Sequence, residues 1–348
     1  MMFRFLIFLV VLGVIGVGVA EWMNEAWTQT GPARKETIVL IPPHRGTHDV
    51  AREMRDAGAV PNALLFEIEL RLHGAASKVK AGEYALPAYA SMADIAGILV
   101  EGKSIQHKLT AAEGLTSEMI LKVVTTDPVL VGDAGPVPAE GVLLPETYLF
   151  TRGTSRGEII DRMEKAEKKY LDQQWTGRAA GLPLQTPEQA VILASIVEKE
   201  TSLPEERRHI AAVFVNRLKA GMKLQSDPTI IYGITKGYPL GRGIRESEIT
   251  ADTPYNTYAI AGLPPTPICN PGKDSLAAVL KPEASADLYF VANGKGGHVF
   301  ASTISAHQRN VEAWRATERA KEGLPPLEAA KPVPAKPKSA ARRRHHAR

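Results

Sequence analysis

The chain has 348 residues, 44% hydrophobic and 23% charged, which excludes a disordered polymer and leaves room for two ordinary domains, each with its own core. Its net charge of +4 is concentrated at one end: residues 331–348 (KPVPAKPKSAARRRHHAR) carry three Lys, four Arg and no acid, so the preceding 330 residues sum to −3. The folded part is therefore not basic, which argues against a nucleic-acid binder, and the single cysteine, Cys269, excludes an internal disulfide or a cysteine-based metal cluster.

In chain order, the first element is an apolar run, 5–20 (FLIFLVVLGVIGVGVA), with Arg4 before it and Trp22 and Trp27 after it. At ~1.5 Å per residue its sixteen residues make a helix of about 24 Å, and its neighbours extend it toward the thickness of a bilayer core. Arg4 favours an N-in orientation, and the tryptophans suit the far interface. Gly18-Val19-Ala20 would also suit a signal peptidase. The run exceeds the usual ~7–15-residue core of a cleavable signal, however, which favours residues 1–27 as an uncleaved single-span anchor. Either way the remainder is exported.

Residues 28–36 read as a linker. A strand at 37–43 ends at two prolines, helical spacing follows at 47–57 and 61–73, and 80–87 alternates as a strand. Ser91 is placed to cap a helix reaching about residue 100, with Gly102 as its stop, and 105–114 returns to strand-like alternation. Residues 37–108 thus form a small α+β module. A second region, 109–318, is mostly helical to about residue 225 and includes the hydrophobic GVLLPETYLF (141–150) and a charged amphipathic stretch at 155–172. Residues 226–271 are rich in Gly, Pro, Asn and Thr with little periodicity, and loops of that length are more often functional than idle. A β-hairpin is expected over 288–303 around NGKGG, which lacks the spacing of a phosphate loop. Residues 319–348 read as a disordered basic, Pro/Ala-rich tail.

Within the second region, ILASIVEKETS (192–202) sets two glutamates around a lysine at the end of an apolar run. Thr186-Pro187-Glu188-Gln189 is a capping box with Pro at the first helical position, and Ser202-Leu203-Pro204-Glu205 reads as a second box. One helix is therefore expected over 187–201 and another over 203–221. On the first, Ala190, Leu193, Ile196, Val197 and Glu200 share a stripe. Glu198 lies ~200° further round, with Val191, Ala194 and Ser195, and is expected to be an exposed helical Glu. A carboxyl facing an apolar environment has its charged form disfavoured and suits a general acid. The competing expectation is that Glu200, one residue from the helix end, leans into water or pairs with Arg207 or Arg208. The pattern alone leaves both open.

The segments ASIVEKET, VFVNRLKAGMKLQSDPTIIYG, TPYNTYAIAGLPPTPICNPG, LYFVANGKGGHVF and EGVLLPETY, in that company and with an N-terminal anchor, closely resemble the MltG (YceG-like) endolytic murein transglycosylases over residues 37–315. The resemblance implies an inner-membrane, single-pass protein with a LysM-like α+β domain at 37–108 and a mainly helical, lysozyme-like catalytic domain with a β-hairpin at 109–318. It implies cleavage of the β-1,4 bond between N-acetylmuramic acid and N-acetylglucosamine within peptidoglycan strands in the periplasm. The products would carry 1,6-anhydro ends, and the consequence would be termination of strand elongation. The second glutamate of EKE, Glu200, is then the catalytic residue. The order of parts is also similar to lysozyme-like transglycosylases: an acid followed by Ser (here Thr201), a Gln-bearing segment (Gln225) and a Tyr-Asn pair (Tyr255-Asn256).

A single glutamate suffices for that chemistry, because the sugar's own 6-hydroxyl is the nucleophile and no second carboxylate need position a water. Asp227, Glu246, Glu248 and Asp252 could still supply a second acid. Hydroxyls, amides and aromatic faces for binding sugars are available at Gln225, Ser226, Asp227, Tyr255, Asn256, Thr257 and Tyr258, although the same residues could be shaping turns. His298 and His307 lack the spacing of a metal site, and neither metal nor cofactor is expected. Expected partners are peptidoglycan strands, the membrane and, through the family, peptidoglycan synthases, with no nucleic acid. The alternatives from other classes are a non-catalytic peptidoglycan-binding scaffold and a glycoside hydrolase.

Overall fold

The structure, a computed structural model, describes residues 2–324. The basic tail expected over 319–348 therefore lies outside the described residues from residue 325 onward. The described residues are mixed α+β, mostly helical, with three separate two-stranded sheets and a long apolar helix at their start.

That helix, α1 (Met2–Thr28), is solvent-facing along its apolar run but ends in a packed contact. Trp27 is 8% exposed, stacked on the His73 ring at 4.6 Å between centroids and also against Phe66 at 6.4 Å. The partners of Trp27 belong to the first compact unit: β1 (Thr37–Ile41), α2 (Thr47–Asp56), α3 (Ala63–Leu72), β2 (Gly82–Leu86) and α4 (Met92–Glu101). β1 and β2 are antiparallel, with Thr37 opposite Leu86 and Ile41 opposite Gly82. Met54, Phe66, Leu70, Tyr84, Leu86, Ile95 and Leu99 fill the space between them. Ser91 caps α4 in a reciprocal box with Asp94, and Gly102 ends it in the left-handed conformation at φ 75°, where a side chain would be strained.

β3 (His107–Thr110), α5 (Ser117–Thr126), β4 (Thr147–Phe150) and α6 (Arg156–Thr176) make a second cluster around Ile120, Val124, Leu143, Ile159 and Met163. β3 pairs antiparallel with β4, His107 opposite Phe150. Glu83 of β2 joins the first two units, accepting from Arg152 at 2.8 Å and bonded to His107 at 2.7 Å.

The third cluster is built on α7 (Pro187–Glu200) and α8 (Pro204–Lys219), followed by α9 (Asp227–Thr235), the single turn α10 (Glu246–Ile249), α11 (Lys273–Leu280), the hairpin β5 (Tyr289–Ala292) and β6 (His298–Ala301), and α12 (Ile304–Lys321). α12 packs on the hairpin and runs to Lys321, across the boundary expected at 318. α7 is buried on every side from Ala190 to Val197, so it is the central helix of this cluster. Thr186 caps it by accepting from the Gln189 amide. The second expected capping box is not formed. Leu203 occupies the N-cap of α8 without a side-chain bond, and Thr201 Oγ1 accepts from the Leu203 amide instead.

Candidate active site

The end of α7 and the start of α9 meet at one hydrogen bond. Ser226, the fully buried residue before α9, donates its hydroxyl to Glu200 Oε1 at 2.5 Å. The position of Ser226 is set through its backbone. Its amide donates to Thr257 Oγ1 at 2.9 Å, and its carbonyl accepts from Thr229 Oγ1 at 2.7 Å. Thr229 and Thr257 also share a hydroxyl contact at 2.9 Å. The three buried hydroxyls therefore lock the loop at 256–258 against α9 and aim the serine at the acid.

Glu200 is half-buried. Burial pushes its carboxyl up to about 7; the Ser226 hydrogen bond opposes the rise, the negative Asp227 adds to it, and the positive Arg217 opposes it. Near neutrality such a group exists in both protonation states, as an acid that must later serve as a base requires.

Glu198 differs from the sequence expectation. Its side chain is 7% exposed, it accepts the Gly272 amide at 3.0 Å, and its other oxygen lies 3.8 Å from the buried Arg207 guanidinium. Arg207 also meets Asp274 at 3.2 Å and Glu113 at 3.6 Å. Both glutamates thus leave a helix that is buried all round, and helical phase does not separate them. Their partners do: Glu198 belongs to the ion-pair network around the buried Arg207, whereas Glu200 has one hydroxyl donor and no cation within ion-pair distance among the described residues. Arg207 pairs with Glu198 and not with Glu200.

The other candidates fall into two groups. Asp227 is exposed and accepts from the Tyr258 hydroxyl at 2.7 Å; Gln225 is exposed with its backbone at φ 53°. These two flank Ser226 in sequence and, with the half-buried Tyr258, leave polar atoms open to solvent, whereas Ser226 itself is buried against Glu200. Asn256 and Thr257 are fully buried. The Asn256 amide donates toward the carbonyls of Glu248, Ile249 and Ala251, and its oxygen accepts from the Tyr258 amide, so the side chain shapes the turn and has nothing left for a ligand. Tyr255 packs against the later part of α9, beside Tyr232 and Gly233, its hydroxyl 2.7 Å from Thr266 Oγ1. Of the acids considered as a second carboxylate, Glu248 is held by Arg242 and the Arg245 amide, which bring it down to about 2, while Glu246 and Asp252 are exposed.

Arg217 was not foreseen. It is 7% exposed, donates to the Leu224 and Leu288 carbonyls at 2.6 Å each, and lies 5.4 Å from the centre of the Tyr289 ring. It thereby ties the segment that presents Ser226 to the hairpin. A lone Arg at the end of IAAVFVNRL, on a helix otherwise buried from Ile210 to Val215, was the available signal.

The family model described as YceG-like matches residues 39–313. A protein named endolytic murein transglycosylase from Bacillus subtilis (strain 168) is 35% identical over 185 residues, covering 53% of this chain and 50% of that one. Another of that name, from Streptococcus pneumoniae serotype 2, is 29% identical over an alignment of 357 residues, covering 88% of this chain and 64% of the relative. The chain thus spans between half and two-thirds of the length of these curated relatives. Among solved structures, a yceG-like protein from Listeria monocytogenes is 30% identical with a TM-score of 0.48, over 80% of this chain and 99% of that one. The matched span runs through Glu200, Ser226, Tyr258 and the hairpin, and the chain belongs to the YceG-like family.

Proposed function

We propose that this protein is a membrane-anchored endolytic lytic transglycosylase of peptidoglycan, cutting the muramic acid–glucosamine β-1,4 bond within glycan strands. Glu200 is its single acid/base. The protonated carboxyl gives its proton to the glycosidic oxygen as the bond from C1 to that oxygen breaks. The carboxylate then takes the proton of the muramic 6-hydroxyl as O6 bonds to C1. The glutamate ends as it began, no water is consumed, and the strand is left with a 1,6-anhydro end. Gln225, Asp227 and Tyr258 are placed to hydrogen-bond the sugars around the reacting bond, and Ser226 positions the acid.

The observation that carries this proposal is Glu200 itself: a half-buried carboxyl raised to about 7, with one hydroxyl partner and no cation within ion-pair distance among the described residues. The names of the relatives agree with it. The anchor is supported by the continuity of α1 past Ala20 to Thr28, where Trp27 packs into the following unit. We assign residues 37–108 as the LysM-like domain and 109–318 as the catalytic domain, on the periplasmic side of the inner membrane. There the enzyme would end strand elongation beside the synthases.

The test is a digest of purified sacculi by the full-length protein in detergent micelles, with products weighed. Anhydro-ended fragments are expected. Products heavier by one water would make the protein a hydrolase, and intact sacculi with bound protein would make it a scaffold. Glu200→Gln, which keeps size and shape, should lower the rate ~10³-fold or more, since it removes both acid and base. Glu198→Gln should retain substantial activity while costing stability on the order of 1–2 kcal/mol through the Arg207 network. The reverse pattern would sink the assignment.

A further inference from the structure

Glu200 and Ser226 stand at the start of α9. At its far end, nine residues on and about 14 Å away at the helical rise, lies a second group of side chains. Lys236 follows the helix in the left-handed conformation, φ 56°, with its amide donating to the Tyr232 carbonyl at 2.9 Å. Glycine is the ordinary residue for such a cap, and a side chain there is strained. The strained position aims an exposed ammonium at two rings. Nζ is 5.4 Å from the centre of Tyr232 and 5.2 Å from that of Tyr255. Among the described residues, Lys236 enters no ion pair.

The rings are fixed. Tyr232 is buried, the two centroids are 5.0 Å apart, and the Tyr255 hydroxyl is tethered to Thr266. Gly233 lets α9 approach this closely, since a Cβ there would lie 3.2 Å from that of Tyr255. Tyr255 itself is half-buried and Lys236 is exposed, so the pair stands at the surface. Tyr255 and Tyr258 leave one turn, and their side chains reach the two ends of α9. The acid and the aromatic platform are thus served by one loop, a few pyranose rings apart.

We propose that Tyr255 and Lys236 form an acidic-saccharide subsite, with the Tyr255 ring taking a pyranose face and the Lys236 ammonium a carboxylate carried on the glycan. The inference rests on the glycan-cleaving function proposed above and deepens it. An aromatic face suits the C–H face of any pyranose, whereas a cation already placed against the ring selects sugars that bear an anion. On a peptidoglycan strand that anion is a carboxylate of the attached peptide or, where the peptide has been removed and its amide bond to the lactyl group cut, the lactyl carboxylate of muramic acid.

The test uses the full-length Glu200→Gln protein in micelles, so that strands bind without being cut, and titrates it with labelled soluble glycan strands. Converting the strand carboxylates to amides should weaken binding roughly tenfold, the scale of one charged hydrogen bond. Adding Lys236→Gln should weaken binding of native strands by the same factor and abolish the effect of amidation, while Lys236→Arg should restore it. Matched melting temperatures would confirm that the variants fold. Peptide-stripped strands, whose lactyl carboxylate is thereby set free, separate the sources: a Lys236 penalty that persists shows that the ammonium also takes the lactyl group, and a vanished one assigns the peptide alone, either result supporting the subsite. Affinity indifferent to both amidation and Lys236→Gln would overturn it. Should the wild-type protein cut no sacculi while the binding pattern holds, the transglycosylase proposal falls and the subsite stands. Cutting without any dependence on Lys236 or carboxylate overturns the subsite alone.

Discussion

Ser226 and Glu200 show how one hydroxyl can set the working range of an acid. The donor bonds a single oxygen, Oε1, and leaves Oε2 as the atom that can carry and deliver a proton. A hydrogen bond to a carboxylate favours its charged form, so the serine holds Glu200 below where burial alone would put it. Ser226→Ala removes that donor without disturbing the backbone bonds to Thr257 and Thr229. The alkaline limb of the rate–pH profile should therefore move upward by about one unit, the equivalent of ~1.4 kcal/mol. A limb that stays in place, or moves down, would show that Ser226 does not act on the acid. The same pair of residues also shows the limit of helical phase as an argument. The stripe through Ala190, Leu193, Ile196 and Val197 predicted that Glu200 faces the core, but the opposite stripe is equally buried, and Glu198 goes in as well. Compensation of charge, not orientation, distinguishes the two carboxyls here.

At the scale of elements, the segments around the site are joined by side chains whose bonds cross long stretches of sequence. Asn270 is fully buried and uses its whole amide. Oδ1 accepts from the Gly141 and Leu143 amides at 3.1 and 3.0 Å, and Nδ2 donates to the Leu115 carbonyl at 3.2 Å and Ser117 Oγ at 3.1 Å. Gly141 can approach because it has φ 82° and no side chain; a Cβ would lie 2.6 Å from Pro267. Asn270→Ala would strand two backbone amides, and should cost about 3–5 kcal/mol in urea unfolding. A cost under 1 kcal/mol would mean that the three loops do not depend on it. Nothing in the tripeptide NPG announces this role, because its partners lie over 120 residues away. By contrast, β1, α2, α3, β2, α4, α6, α7, α8 and the hairpin were legible, since caps, prolines and hydrophobic period are local signals. α9 was hidden in the Gly- and Asn-rich stretch because Gly233, which weakens its helical signal, is there to admit Tyr255. α12 was missed because it buries no residue fully and so carries no strong apolar stripe. Asn256 shows the same limit within the site: Tyr-Asn pointed to a binding pair, but the asparagine spends its bonds on three carbonyls of its own loop.

For the molecule as a whole, the proton held by Glu200 is one of several that folding retains. Glu140 and Glu167 are likewise pushed up to about 7 by burial; Glu140 is opposed by the Ser117 amide, and Glu167 Oε1 has no hydrogen-bond partner. These three carboxyls lie in different parts of the fold, and each releases its proton near 4.5 when the chain unfolds. Between those values the native state binds more protons than the unfolded state, so stability must fall as pH rises from about 4.5 through about 7. Each group contributes on the order of 2 kcal/mol of loss by pH 8, less for Glu140, which is partly open to solvent. His307 acts in the opposite sense, since burial lowers it from 6.5 and favours the native state as pH rises toward that value, but it is one group against three. On the acid side, Glu83, Asp94 and Glu248 are all lowered, and their stabilisation is lost as pH falls through their native values. The melting temperature should therefore peak near pH 5 and decline toward pH 8, the opposite of a protein whose carboxylates are mostly paired. Glu167→Gln, far from the candidate site, should raise the melting temperature at pH 8 and leave it nearly unchanged at pH 5. A melting temperature that climbs steadily from pH 5 to pH 8 would show that these carboxyls ionise freely in the native state, and would remove the physical basis for a protonated Glu200 near neutrality.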